Sequence, residues 1–226
     1  ALVASGKISA ESVEGMVFAG ELALDGSLRP IRGALPMALH AEKKGARAVV
    51  LPRGLAAEAS LAVGIPTYGV DSLDEVVRCL RGDASATVPA LRAAFRTVPL
   101  PPSHVGCGER ALGQVSTDFD LSEVPGLETA KRALEIAAAG GHNLLLVGAP
   151  GSGKALLGRC LPGILPAMDR EELIDVSRIY SAAGRLDGQP GVTGRPFRAP
   201  HHDVSIAGLI GGGPVLRPGE VTLAHR

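Results

Sequence analysis

The feature that most constrains this chain is an apolar run leading directly into a glycine-rich loop that is closed by a lysine. Residues 144–147 (LLLV) are typical of a buried strand, and residues 148–154 (GAPGSGK) match the pattern G-x-x-x-x-G-K. Glycines let backbone N–H groups turn toward an anion, and the helix predicted to follow points its positive end at the same place. The pattern therefore predicts a phosphate-binding loop, in which Lys154 reaches the β- and γ-phosphates of ATP.

The position after this lysine departs from the pattern. A Ser or Thr usually stands there and its hydroxyl holds Mg²⁺, but this chain has Ala155. We therefore expect weak ATP binding with little dependence on Mg²⁺, no catalytic residue and no hydrolysis by this chain. The alternative is a glycine-rich turn that binds no nucleotide. The residues expected to contact ATP are Gly148, Ala149, Pro150, Gly151, Ser152, Gly153, Lys154 and Ala155.

Composition limits the class of protein. The chain has 226 residues, 46% of them hydrophobic and 20% charged, with a net charge of zero, so any contact with nucleic acid must come from a local patch. Its apolar runs are too short for a membrane span. The three cysteines, Cys79, Cys107 and Cys160, are widely spaced, which suits a reducing cytoplasm and gives no metal signature. The first residue is not Met, and we expect the chain to be a fragment.

The order of local patterns predicts two α/β domains. Residues 1–82 form the first, residues 83–120 are a Pro- and Gly-rich linker with one possible helix at 90–96, and residues 121–226 form the second. Strands are predicted at 16–24, 28–31, 46–52, 66–70, 144–147 and 220–224, with a hairpin turn at 25–27. Helices are predicted at 34–45, 54–64, 72–82, 127–139, 155–165 and 169–184.

A cluster of basic residues lies in the segment RPFRAPHH, residues 195–202. Arg195, Arg198, His201 and His202 suit a structural loop, a subunit contact or the handling of DNA, and the sequence leaves these open. Adjacent histidines on a strand point to opposite sides, and adding His225 gives no zinc spacing, so we expect no metal site.

Four segments together resemble the magnesium-chelatase-like AAA+ family, of the ComM/YifB type. They are residues 20–39, 131–154, 195–202 and 208–226. The resemblance implies a partial Lon-protease-like domain, with a ribosomal-S5-like fold, followed by a partial P-loop AAA+ module. It implies Mg-ATP as the cofactor, a homo-hexameric ring, and a DNA partner on which the ring acts as a branch-migrating helicase in natural transformation or recombination.

The same resemblance bears on individual residues. It places adenine near residues 124–126, with Leu127 where a Gln is usual, and it places the catalytic lysine of Lon enzymes at Leu35, so we expect no proteolysis. It implies that the Walker B acids, the sensors and the arginine finger lie beyond Arg226. One alternative is the ATPase subunit of magnesium chelatase, against which the Lon-like residues 21–70 argue. Another is a degenerate regulatory module, which Ala155 and Leu127 favour.

Overall fold

The computed structural model describes residues 2–62, 64–81, 119–186, 188–213 and 216–226, so the predicted linker and its helix lie almost wholly outside the described residues. The strands are β1 Met16–Phe18, β2 Glu21–Leu22, β3 Leu28–Arg29, β4 Ala48–Pro52, β5 Thr67–Val70, β6 Gly211–Gly212 and β7 Arg217–Pro218. The α-helices are α1 Ala10–Val13, α2 Ala34–Lys43, α3 Ala56–Ala59, α4 Leu73–Arg81, α5 Glu128–Gly140, α6 Lys154–Ile164, α7 Arg170–Ala183, α8 Ile206–Ile210 and α9 Glu220–Leu223. Short 3₁₀ turns precede α3 and α5. The mixed α/β class is confirmed.

The N-terminal half is organised around strand β4. It pairs in parallel with β1 on one side and β5 on the other, and all of its residues are buried. Side chains alternate across the sheet, so Val49 and Leu51 pack with α2 and α3, whereas Ala48 and Val50 pack toward Tyr68 and α4. Helices therefore cover both faces of this parallel sheet, as its continuous apolar sequence predicts.

The predicted hairpin is present but shorter than expected. Strands β2 and β3 pair antiparallel around Gly26, whose φ of 85° suits glycine, and Asp25 accepts hydrogen bonds from the backbone and hydroxyl of Ser27. The apolar run at 16–24 is thus divided between two strands that belong to different sheets.

Two strand predictions are wrong. Residues 144–147 form no strand, and Leu145 and Val147 are 84% and 86% exposed. A parallel strand needs neighbours to satisfy its backbone, and no strand of the described residues lies beside this segment. Residues 220–224 instead form helix α9, in which the Leu223 N–H donates to the Gly219 carbonyl at 3.0 Å.

In the C-terminal half, helices α5 and α6 pack around one small apolar cluster. Val124, Leu134, Leu157 and Cys160 are its buried members, with Leu146 partly buried against them. Cys160 is almost fully buried and is therefore a packing residue, and its burial raises the pKa of the thiol above its usual value. None of the helices in the described ranges is long and apolar enough to cross a membrane.

Helix α7 joins the C-terminal half to the N-terminal half through a buried polar network. The Ser181 hydroxyl donates to the Glu58 carboxylate and accepts from the Leu35 N–H, both at 3.2 Å, and the Ser181 carbonyl accepts from the Gly33 N–H at 3.0 Å. No side chain of helix α2 itself caps its N-terminus, and Glu58 also accepts from the amides of Ala34 and Leu35. Residues from α3 and α7 therefore satisfy the amides that open α2.

Substitution of Ser181 tests this connection. We expect Ser181→Ala to lower the free energy of unfolding by about 1–3 kcal/mol, because it leaves buried polar partners without their hydrogen bonds. The control is Ser60→Ala, since the Ser60 hydroxyl bonds only to the nearby Ala57 carbonyl. Urea unfolding compares the two variants, and equal losses would contradict the role given to Ser181.

A second prediction concerns pH. Burial raises the pKa of Glu58 above its usual value, outweighing the hydrogen bonds from Ser181 and the α2 amides, which lower it. The neutral Glu58 carboxyl therefore contributes to the stability of the folded state. This contribution is complete below the unfolded pKa of about 4.3 and is lost as pH rises through the folded pKa. We therefore expect Glu58→Gln, which cannot ionise, to lose less stability than the wild type between about pH 4 and 7. Urea unfolding across this range measures the slopes, with the exposed Glu21→Gln as control; parallel curves for wild type and Glu58→Gln would contradict the prediction.

Candidate functional site: the loop before helix α6

The residues predicted to bind ATP lie together in a tight loop that ends where α6 begins. Gly151 and Gly153 have φ values of 78° and 83°, a region that side-chain-bearing residues rarely adopt. A Cβ atom on Gly148 would lie 2.9 Å from the Ser152 hydroxyl, so a side chain there would require the Ser152 hydroxyl to rotate away. The backbone conformation therefore explains why glycine stands at positions 151 and 153. Gly153 is also the N-cap of α6.

Lys154 is folded back over this loop. Its ammonium group donates to the carbonyls of Gly148 and Ala149 at 2.8 and 2.7 Å, and to the Ser152 hydroxyl at 3.1 Å. The cation is therefore held by oxygen atoms of the loop itself. Sequence reasoning named Ser152 only as a loop residue and missed its bond to Lys154.

The start of α6 supplies the second attraction for an anion. The first amides of a helix have no intrahelical partner and carry partial positive charge, and no side chain caps α6. Ala155 is exposed on this first turn and offers only a methyl group. The described loop therefore offers uncapped amides and one ammonium group, both of which attract anions, but position 155 provides no oxygen ligand for Mg²⁺.

The segment that the resemblance places near adenine lies next to the loop. Val124 is buried in the α5–α6 cluster, and a Cβ atom on Gly153 would lie 3.1 Å from Cδ1 of Leu127. Leu127 has a φ of 60°, which is unusual for a residue with a side chain, and it is 43% exposed beside the loop. The structure thus brings Leu127 and the phosphate loop together, although they are distant in sequence.

The arginines of the segment 195–202 form internal contacts. Arg195 donates to the carbonyls of Pro166 and Arg226 and to the Glu172 carboxylate, at 2.6, 2.8 and 3.0 Å. Arg198 forms a two-pronged pair with Glu220, in which Nη2 lies 2.8 Å from Oε1, and these hydrogen bonds lower the pKa of Glu220. Of the alternatives left open by the sequence, the structural loop accounts for both arginines.

The histidines of the same segment are exposed and close together. Residues 201–203 form a turn, so the premise that His201 and His202 lie on a strand with opposed side chains is wrong. Their ring centroids are 4.1 Å apart, and the carboxylate of Asp203 lies beside both rings. Sequence reasoning missed Asp203. The signal that could have found it is the run His-His-Asp two residues before Ser205, which caps α8 by accepting from the Gly208 N–H.

Comparisons with known proteins give the family. A family model described as magnesium chelatase, subunit ChlI, matches residues 120–226, and a second, described as subunit ChlI of Mg-chelatase, matches residues 1–54. The competence protein ComM of Haemophilus influenzae is 38% identical over 223 residues, which is 99% of this chain and 41% of ComM. YifB of Escherichia coli is 38% identical over 224 residues, covering 99% and 40% of the two chains. An uncharacterized protein of Mycobacterium tuberculosis is 41% identical over 218 residues, covering 96% and 40%.

The chain therefore belongs to the magnesium-chelatase-like family. Within this family it is of the ComM/YifB type, since relatives of that type match it over nearly its whole length. The resemblance inferred from the four sequence segments is thus confirmed. The chain spans about 40% of the length of these relatives.

A conservative change at Arg198 tests its structural role. Lysine cannot form the two-pronged pair with Glu220, so we expect Arg198→Lys to lower the free energy of unfolding by about 1–3 kcal/mol. The exposed Arg217 supplies the control variant, Arg217→Lys, for which we expect little change. Chemical unfolding followed by circular dichroism measures both. If Arg198→Lys kept full stability but reduced binding to DNA, the arginine would be a ligand contact instead.

Proposed function

We propose that this chain is the nucleotide-binding part of a ComM-like ring ATPase that acts on DNA. The observation that carries the proposal is the loop 148–154, which leads into the uncapped start of α6 and carries the Lys154 ammonium group on its own carbonyls. This arrangement suits the phosphates of ATP, because they carry several negative charges on adjacent groups. Membership of a family named for magnesium chelatase subunits supports Mg-ATP as the family's ligand.

Ligand entry requires Lys154 to exchange its partners. In the structure its ammonium group is satisfied by two loop carbonyls and the Ser152 hydroxyl, so a polyphosphate must replace these neutral acceptors. The exchange is favourable, since a hydrogen bond from an ammonium group to a phosphate oxygen is stronger than one to a neutral carbonyl. Binding therefore needs a rotation of the side chain but no remodelling of the glycine turns.

The architecture proposed for the whole protein follows from the family. We infer a Lon-like N-terminal domain in residues 1–82, a linker at 83–120 and an AAA+ module from residue 121, assembled as a hexamer in the cytoplasm. Leu35 is fully buried at the position where the resemblance places the Lon lysine, which supports a structural role for the first domain. The DNA substrate is supported by the relative named competence protein ComM. Arg195 and Arg198 are engaged internally, so DNA would have to be contacted by other groups.

One alternative has its own support. Both matching family models are described as subunit ChlI of magnesium chelatase, so the chain could serve in metal insertion into a porphyrin. Relatives of the ComM/YifB type nevertheless match nearly the whole chain, including the residues between the two family matches. A porphyrin metallation assay on the whole protein separates these functions, and metal insertion would overturn the DNA proposal.

Calorimetric titration with ATP tests the nucleotide site. We expect weak binding by the wild type that changes little on adding Mg²⁺, and loss of at least about tenfold in affinity for Lys154→Ala, a change of about 1.4 kcal/mol. The control is Lys43→Ala, an exposed lysine at the end of α2. Unchanged affinity in Lys154→Ala would contradict the site.

Ala155→Thr provides the complementary gain of function. A hydroxyl at this position can coordinate Mg²⁺, so we expect ATP affinity to rise by about tenfold or more in the presence of Mg²⁺ and to stay unchanged without it. Ala155→Val, which has a similar volume and no hydroxyl, controls for packing. A wild type that already binds ATP far more tightly with Mg²⁺ would show that position 155 is not limiting.

A further inference from the structure

The turn at residues 201–203 places three metal-ligating side chains in one small volume. His201, His202 and Asp203 each offer a ligand atom, and these atoms all lie within 4.8 Å of one another. The Asp203 Oδ2 atom lies 3.7 Å from His201 Nδ1 and 3.3 Å from His202 Nε2. A tetrahedral site with metal–ligand bonds of about 2.0–2.1 Å sets neighbouring ligand atoms about 3.4 Å apart. The two separations from Asp203 are thus close to those that a bound cation requires, and the two histidine ligand atoms are at most 4.8 Å apart.

The backbone on both sides fixes this turn. The Val204 N–H donates to the His201 carbonyl at 3.0 Å, and the Asp203 N–H donates to His201 Nδ1 at 3.3 Å. Before the turn, Arg198 anchors the chain to Glu220 of α9, and after it Ser205 caps α8. The three ligand side chains are therefore held in place by a short local turn. To bind a cation, His201 Nδ1 has to give up only its 3.3 Å hydrogen bond from the Asp203 N–H.

We propose that His201, His202 and Asp203 bind a divalent transition-metal cation, with Zn²⁺ as the representative ion. Two imidazole nitrogens and one carboxylate oxygen are the donors that Zn²⁺ accepts in sites with an open position. The side chains are 71%, 81% and 78% exposed, so water completes the coordination. Mg²⁺ prefers oxygen ligands in an octahedral arrangement, so this site is chemically distinct from any Mg²⁺ bound with ATP.

Calorimetric titration of the whole chain with Zn²⁺, without nucleotide, tests the proposal. We expect one equivalent to bind to the wild type, and His202→Ala and Asp203→Asn each to weaken this binding by at least about tenfold. His225→Ala removes an exposed histidine outside the cluster and is the matched control, for which we expect no change. Mg²⁺ should give no binding at the same concentrations.

Two further measurements make the result decisive. Because the chain also has cysteines, Co²⁺ is used as a spectroscopic probe, and we expect visible bands of a nitrogen–oxygen site without thiolate charge transfer. Ring signals of His201 and His202 in NMR spectra should shift on adding one equivalent of Zn²⁺, while those of the other histidines stay in place. Three results would each overturn the proposal: equal Zn²⁺ affinity in wild type, His202→Ala and Asp203→Asn; binding only at millimolar concentration; or a thiolate spectrum. The cluster would then be a contact between two imidazole rings and a carboxylate that binds no metal.

Discussion

The described structure depends on helix α7, which makes contacts in two directions. One face carries Ser181, whose hydroxyl and carbonyl satisfy Glu58 and the opening amides of α2 in the N-terminal half. The other carries Glu172 and Tyr180, which hold Arg195 and the Leu223 carbonyl in the C-terminal segment. Buried polar groups tolerate few alternative partners, so these bonds fix how α7 and the segment after it sit against the N-terminal half more precisely than apolar packing alone would. Any movement of α7 away from α2 has to break the hydrogen bonds of Ser181.

The proposed nucleotide site depends on local backbone conformation rather than on buried hydrogen bonds between distant segments. Its shape follows from backbone conformations that glycine adopts without strain at positions 151 and 153, and from the helix that starts at Lys154. The binding groups are therefore present before any ligand arrives, apart from the rotation of one lysine side chain. In the proposed function, preorganised amides reduce the entropic cost of binding ATP, whereas Ala155 offers no oxygen atom to the metal ion. The proposal therefore combines nucleotide binding with little dependence on Mg²⁺.

Patterns in the sequence located most of the helices and strands that are set by neighbouring residues or that consist of a continuous buried apolar run. Strand β4, helix α4 and helix α7 lie close to where their patterns predict them. Helix α7 begins with a local capping box, in which Asp169 and Glu172 bond reciprocally. The strand prediction at 144–147 was wrong because apolar residues form a strand only where another strand satisfies the backbone. The prediction at 220–224 was wrong for a related reason, since Glu220 at a helix N-terminus pairs with Arg198, which lies far from it in sequence. The short helix α8 and the β6–β7 hairpin were missed, because they contain too few residues to show a periodic pattern of apolar side chains.

The candidate sites show the same division. Sequence alone revealed the family and located the glycine-rich loop, whose proposed role in binding phosphate stays a prediction, because the conformation of the loop and its cation come from consecutive residues. Only the tertiary structure showed that Leu127 lies beside that loop and that Arg195 and Arg198 are used internally. The reason is physical: backbone preference and charge pattern act between residues a few positions apart, whereas the partner of a buried or charged side chain is chosen by packing of distant segments.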